Sequence, residues 1–328
     1  MNQSKTKVRI TLVACALGGM ACLPVSALAQ TYPAKTVRFI VPSAPGGGTD
    51  IVTRVVAQKM SESMGQQFVV ENRAGAGSII GVDIAAKSAP DGYTLVMSPS
   101  TVVINPFLFK KLPFDVLRDL AAVSEAASVS NVLVVHPSVP ANSVSEFVAL
   151  AKKSPGQLSF ATAGTGSSPH MSVEVLKSMA GIELLHVPYK GTTPGVLDLL
   201  AGRVSMMMAN TLTVGPHVKA GKLRALGVTS LKRSIALPEV PPINEAGVPG
   251  YEVIQWYGTF APAGTPRDII GRVQGEMAKA LKLVDVREHL ARDGAEPVGS
   301  TPEEFAVRVR NELDKWGKVA RAANIQPE

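Results

Sequence analysis

Two glycine-rich loops hold the residues whose types and spacing could do chemistry. The first is Ser43-Ala44-Pro45-Gly46-Gly47-Gly48-Thr49-Asp50, which follows a β-branched run and precedes an amphipathic one. The second, Ala163-Gly164-Thr165-Gly166-Ser167-Ser168-Pro169-His170, has the same setting further along the chain. A glycine loop that opens a helix presents unpaired backbone N–H groups and the positive end of the helix dipole. It can therefore hold an anion without any charged side chain. A left-handed turn also needs glycine, so either loop alone reads more simply as a turn. Two of them, each at the carboxyl end of a strand, describe a cleft that grips a carboxylate from both sides. The expected donors are the N–H groups of Gly47, Gly48 and Gly166 and the hydroxyls of Thr49, Thr165 and Ser167. On this reading, replacing Gly166 by Val abolishes binding and leaves the fold intact.

Other chemistry is harder to place. Neither loop carries the lysine of a phosphate-binding G-x-x-x-x-G-K-[ST], and Pro169 stands where a dinucleotide loop needs its third glycine. The histidines His136, His170, His186, His217 and His289 do not pair at metal-ligand spacing, and no metal or cofactor is expected. Gly166-Ser167-Ser168-Pro169 is not a nucleophile elbow, so a serine hydrolase is a remote alternative and no catalytic residue is assigned. Asp50 sits beside the anion site. It either accepts backbone N–H bonds at its helix start or holds an amine or hydroxyl of a ligand. His170, near a helix start, should stay neutral, and it either donates one hydrogen bond or packs. Trp256-Tyr257 is either hinge packing or an aromatic wall of the cleft.

Alternating runs must position these loops. Strands are predicted over 36–41, 68–70 and 93–97, with helices over 50–64 and 79–87 between them, an order that implies a parallel sheet with crossover helices. A second unit of the same kind runs from about 130, with strands over 131–135, 158–161, 184–187, 204–208 and 223–229 and helices over 144–153, 171–179 and 194–200. Helices are again predicted over 266–281, over 284–292 and from the capping box Thr301-Pro302-Glu303-Glu304.

Composition narrows the class. The chain has 328 residues, 46% hydrophobic and 18% charged, which suits about two packed domains and excludes wholesale disorder. Aromatics are only 5%, too few to serve as stacking platforms, and no nucleic-acid partner is expected. Lys5, Lys7 and Arg9, an apolar stretch to Leu23 and Ala27-Leu28-Ala29 have the order of a secretory leader, with cleavage after Ala29. Its removal leaves 30 basic against 26 acidic side chains and takes both cysteines, Cys15 and Cys22. Disulfides, thiolate metal sites and thiol nucleophiles are thereby excluded from the mature chain.

The segments YPAKTVRFIVPSAPGGGTDIVTRVVA (32–57), VVENRAGAGSIIG (69–81), ATAGTGSSPHM (161–171) and VPYKGTTPGVLDLLAGRV (187–204) carry a specific resemblance. GVTSLKRSIALPEVPPINEAGVPGYE (227–252) and WYGTFAPAGTP (256–266) continue it. In that order they resemble the Bug-type extracytoplasmic solute receptors of tripartite tricarboxylate transporter systems, over essentially the whole mature chain. The resemblance implies an α/β, two-domain periplasmic binding protein of type II, flytrap-like, with a ligand cleft between domains. One domain would take 30–130 plus 252–328 and the other 131–251. It implies ligand contacts from Ser43, Pro45, Gly47, Gly48, Thr49, Asp50, Ser98, Ser100, Gly164, Thr165, Gly166, Ser167, His170 and Asn210. It further implies a periplasmic receptor that takes a small organic acid to membrane permease subunits; a monomer is the default expectation. A sensor that signals to a membrane receptor kinase would need the same cleft. Ser205 stands where the family often has Asp, Met171 where Leu is usual and Gly195 where Ala is common.

Overall fold

β-branched runs alternate with amphipathic ones, and the computed structural model stacks them into one mixed, ten-stranded sheet with helices on its faces. It describes residues 32–328 except 190, 293, 323–326 and 328. The leader motif and its cleavage site lie outside the described residues.

The first βαβαβ unit is β1 (Val37–Val41), α1 (Gly48–Met64), β2 (Phe68–Asn72), α2 (Ile79–Ala86) and β3 (Thr94–Pro99). Its strands pair in parallel in the order β2-β1-β3. Helix α1 buries Val52, Val56 and Met60 against the sheet. It stops at Gly65, whose φ of 69° is the left-handed cap that glycine tolerates. Two one-turn helices, α3 (Thr101–Ile104) and α4 (Val116–Asp119), lead into a 16-residue strand, β4 (Leu120–Val135).

The second unit contains α5 (Val144–Lys153), β5 (Ser159–Thr162), α6 (Ser168–Ala180), β6 (Leu185–Pro188), α7 (Thr192–Leu200), β7 (Met206–Asn210), α8 (Thr211–Lys219) and β8 (Arg224–Val228). Strand β5 pairs in parallel with β6 and β7. The chain then returns through β9 (Ile254–Pro262), α9 (Arg267–Lys282), α10 (Val284–Arg292), β10 (Ala295–Pro297) and α11 (Pro302–Ala322). Two of the family departures are structural: Met171 is fully buried, and Ser205 exchanges hydrogen bonds with Ser159.

Two strands differ from the sequence expectation. The stretch Leu120–Ser130 and all of β9 are not predicted. Ala121, Ala122, Ala126 and Ala127 have weak strand propensity, and Gly258 interrupts the β9 run. They are strands because each pairs with the other over nine positions, and β9 also pairs with β3. Strand β4 is the axis of the sheet. Its first part pairs with β9 and β10, and its last five residues pair with β7 and β8.

Helix α11 locks this axis from one face. Its capping box is reciprocal: Glu304 N–H donates to Thr301 Oγ1 at 3.2 Å and Thr301 N–H to Glu304 Oε2 at 2.9 Å. Phe305 then packs edge-on against Trp256, with ring centres 5.2 Å apart. Gly258 lies directly beneath Phe305, and a Cβ there would overlap the ring. Gly258→Ala is therefore expected to cost about 1–3 kcal/mol through overpacking. Gly271→Ala, in open space on α9, is expected to be neutral or stabilising by up to about 1 kcal/mol. Urea unfolding checks both as a lower and an unchanged or higher midpoint at constant slope.

Candidate functional site

A cavity of about 450 Å³ opens where the carboxyl ends of β1, β3, β5 and β7 meet the middle of β4 and β9. Four helix N-termini converge on it. The β1–α1 loop contributes Ser43 and Gly46 to Thr49, and the β5–α6 loop contributes Ala163 and Ser167 to Pro169. Thr192 opens α7, and Asn210 with Thr213 opens α8. Pro99 and Thr101 follow β3, Val129 and Asn131 come from β4, Gln255 and Tyr257 from β9, and Ala295 from β10. Among the described residues, no Asp, Glu, Lys, Arg or His lines the cavity. No group of three metal-ligating side chains occurs among them either.

The four helix starts are not equivalent. Asn210 Oδ1 accepts both the N–H and the hydroxyl of Thr213, at 2.9 and 2.6 Å. Ser167 Oγ accepts the N–H of His170. Gly47 and Gly191, the caps of α1 and α7, offer no side chain at all. The first-turn N–H groups of those two helices have no intrahelical acceptor and no side-chain cap, which leaves them as donors to whatever fills the cavity. Ser43 Oγ and Thr101 Oγ1 add buried hydroxyls with no protein partner. Gly48 is held against Tyr257, because a Cβ at 48 would overlap the phenol oxygen.

Asp50 does not meet the cavity. Its carboxylate accepts Gly46 N–H at 2.9 Å, Arg54 Nε at 3.0 Å and Asn72 Nδ2 at 2.9 Å. Burial alone would raise its pKa, but the hydrogen bonds from Arg54, Gly46 and Asn72 outweigh it and hold the group below its usual value. Asp50 thus closes the β1–α1 loop from behind, and its charge is neutralised away from the cavity.

The second loop is tied internally. Gly166 N–H donates to His170 Nδ1 at 3.1 Å, and Gly164 N–H to Thr162 Oγ1 at 3.2 Å. Ser167 Oγ donates to Gly164 O at 2.7 Å. The Gly166 N–H, expected to face a ligand, is instead engaged by His170. A side chain at Gly166 would overlap Leu108, and its φ of 75° is left-handed. Gly166→Val therefore disturbs packing and turn together, contrary to the expectation of an intact fold. His170 is buried and stacked on His186, with ring centres 4.2 Å apart.

Of the residues singled out in the sequence, Ser43, Gly47, Gly48, Thr49, Ser167 and Asn210 stand on the cavity wall. Pro45 and Thr165 are exposed in the same loops without lining it. Gly164, Gly166 and His170 shape the loop behind the wall. Ser98 is buried and donates to Pro99 O, and Ser100 is buried with its N–H on Trp256 O. Tyr257 is a wall residue, whereas Trp256 is fully buried against Phe305.

Asn131, Thr192, Thr213 and Gln255 were not singled out. A signal existed for Thr192, since Gly191-Thr192 is a third glycine step into a helix. Asn131 also had one, as a polar residue opening the apolar run 132–135.

The closing of the loop by Asp50 has a measurable consequence. Asp50→Ala is expected to cost about 1–3 kcal/mol at pH 7, because three donors lose their acceptor. Since the native carboxyl titrates below its usual value, the stability it supplies is present above about pH 4. It is lost as pH falls through the lowered native value, so the gap between variant and parent should narrow toward pH 3. Urea unfolding at pH 7 and pH 3 checks it.

Residues 52–325 match the family model described as the tripartite tricarboxylate transporter family receptor. The Bordetella pertussis protein BugT is 40% identical over 308 residues, 93% of this chain and 94% of its own length. A protein of a Pseudomonas species, from the tcbD–tcbE intergenic region, is 43% identical over 88% of this chain and 87% of its own. Among solved structures, an R. palustris protein with adipate is 36% identical. It superposes with a TM-score of 0.80 over 90% of this chain and 100% of that one. MatC from Rhodopseudomonas palustris, with bound malate, is 32% identical with a TM-score of 0.76, over 88% of this chain and 100% of its own. The fold is that of the periplasmic binding proteins, and by sequence and structure the chain belongs to the tripartite tricarboxylate transporter receptor family, as a Bug-type solute receptor.

Proposed function

We propose that this receptor captures a small dicarboxylic or related organic acid in the central cavity and delivers it to membrane permease subunits, without performing chemistry on it. The observation that carries this reading is the convergence of helix N-termini on a cavity whose described wall bears no Asp, Glu, Lys, Arg or His. Such a wall favours an anion through fixed dipoles. It avoids the desolvation penalty of burying a lysine or arginine, several kcal/mol per ion. The uncapped starts of α1 and α7 are the donors assigned to carboxylate oxygens, with Ser43, Thr49, Thr101 and Thr192 as hydroxyl partners. Gly164, Thr165, Gly166 and His170 act by shaping the second loop. Adipate and malate in the two R. palustris relatives support the ligand class.

The non-enzymatic reading is supported at the two candidate nucleophiles. Ser167 Oγ is engaged with Gly164 O and His170 N–H, and Ser168 Oγ with Asn131 Nδ2, so neither hydroxyl is set against an imidazole base. Capture works by closure of 30–130 plus 252–328 upon 131–251, biased by contacts made only in the closed state. The basic, apolar and Ala27-Leu28-Ala29 order supports export to the periplasm with cleavage after Ala29, and we assign the receptor as a monomer. No helix among the described residues is long and apolar enough to cross a membrane.

Thermal denaturation with adipate, malate and the diamide of adipic acid tests this reading. A bound acid at 100 times its dissociation constant stabilises by about 2.7 kcal/mol, a rise of several degrees. The expected result is a rise with at least one diacid and none with the diamide. Gly48→Ala, which drives a methyl group into Tyr257 beside the α1 donors, should weaken that diacid at least about tenfold, the effect of losing about 1.4 kcal/mol. Equal responses to diacid and diamide would overturn the anion reading.

A further inference from the structure

We propose that His170, backed by the ring of His186, is a positioning residue that clamps the β5–α6 loop into its binding shape. The inference rests on the proposed capture of an organic acid, because it assigns how one wall of that site is held. Gly166 sits in the left-handed region at φ 75°, and its N–H points at Nδ1 of His170, four residues on. An imidazole nitrogen accepts only through its lone pair, so this bond exists only while Nδ1 carries no proton. The neutral ring then carries its proton on Nε2, which lies 3.7 Å from Glu174 Oε1.

His186 holds the other end of the loop. Its Nε2 is 2.7 Å from Thr162 Oγ1, and that oxygen accepts Gly164 N–H. The two glycines of the loop are thus tied, directly and through one hydroxyl, to two stacked rings. The rings are not equivalent. A protonated His186 could still donate to Thr162 Oγ1, which has a second lone pair for Gly164. A protonated His170 would set an N–H against the N–H of Gly166 and break the bond.

The surroundings keep His170 neutral. It stacks on His186, whose other neighbour in the stack is Phe160, with ring centres 4.2 and 4.8 Å apart. The charged groups that face the pair are Glu174 and Lys177, both on α6, and they are bonded to each other at 2.9 and 3.1 Å. Burial, and then Lys177, push His170 down to about 4. Burial, then His170, push His186 down to about 4, with Glu174 opposing. Both native values lie below the ordinary 6.5. The stability this arrangement supplies is therefore complete above pH 6.5 and is lost as pH falls toward 4.

The test uses the mature chain in two arms. The first needs no ligand: amide exchange and the Gly166 amide resonance are followed from pH 7 to pH 3.5. The Gly166 resonance and loop protection should hold to about pH 5 and change together near pH 4. His170→Gln keeps a side-chain acceptor that does not titrate, and it should remove that step. His170→Phe keeps the ring stack without the acceptor, and its loop amides should exchange roughly tenfold faster already at pH 7. The second arm measures adipate and malate affinity at pH 7, where His170→Phe should lose about tenfold and His170→Gln should recover most of it. A Gly166 resonance blind to pH, or parental loop exchange in His170→Phe, would overturn the clamp. If the parent binds neither acid, the capture reading falls, and the first arm still decides the clamp. If His170→Phe does not fold, the parent and His170→Gln decide it.

Discussion

The proposed site depends on one constraint: a carboxylate must be taken out of water without a formal counter-charge beside it. Backbone N–H groups can do this only if several helices begin at the same place, because each helix offers only a few unpaired donors in its first turn. Helices α1, α6, α7 and α8 begin around one cavity because within each unit parallel strands deliver their helices to the carboxyl edge, and the two units run in opposite directions along β4, so their carboxyl edges face each other near Asn131. The same constraint explains Asp50, whose carboxylate is turned onto Gly46, Arg54 and Asn72, where it shapes the loop without repelling an anion.

Strand β4 runs through both halves of the sheet. Strand β4 changes partners at Asn131, from β9 and β10 on one side to β7 and β8 on the other. At that junction Asn131 N–H donates to Thr229 Oγ1, Asn131 O accepts Thr229 N–H, and Thr229 O accepts Val253 N–H. Asn131 also reaches Ser168 at the start of α6 and lines the cavity. One buried residue, Asn131, therefore ties the segments at 131, 229 and 253 to the start of α6.

The legible part of the fold was the part that repeats a local rule. Val37 to Val41, the glycine steps at 46–48 and 164–166, and the capping box at Thr301 each announce themselves in a few adjacent residues. Strand β9 and the Ala-rich half of β4 do not, because their strand state comes from each other. Helix α8 was also missed: Gly215 and Pro216 argue against it, yet the Asn210 cap and the packing of Val214 sustain it. At the site, sequence located both glycine loops but not which donors were spent. That His170 consumes the Gly166 N–H, and that nothing caps α1 or α7, are matters of side-chain direction.

The most direct test is a high-resolution crystal structure of the mature receptor with its acid bound. The account expects the carboxylate oxygens at about 3 Å from first-turn N–H groups of α1 or α7 and from the hydroxyls beside them. It also expects the Gly166 N–H to remain on His170. A carboxylate paired with a lysine or arginine side chain, or held by the Gly166 N–H, would contradict it.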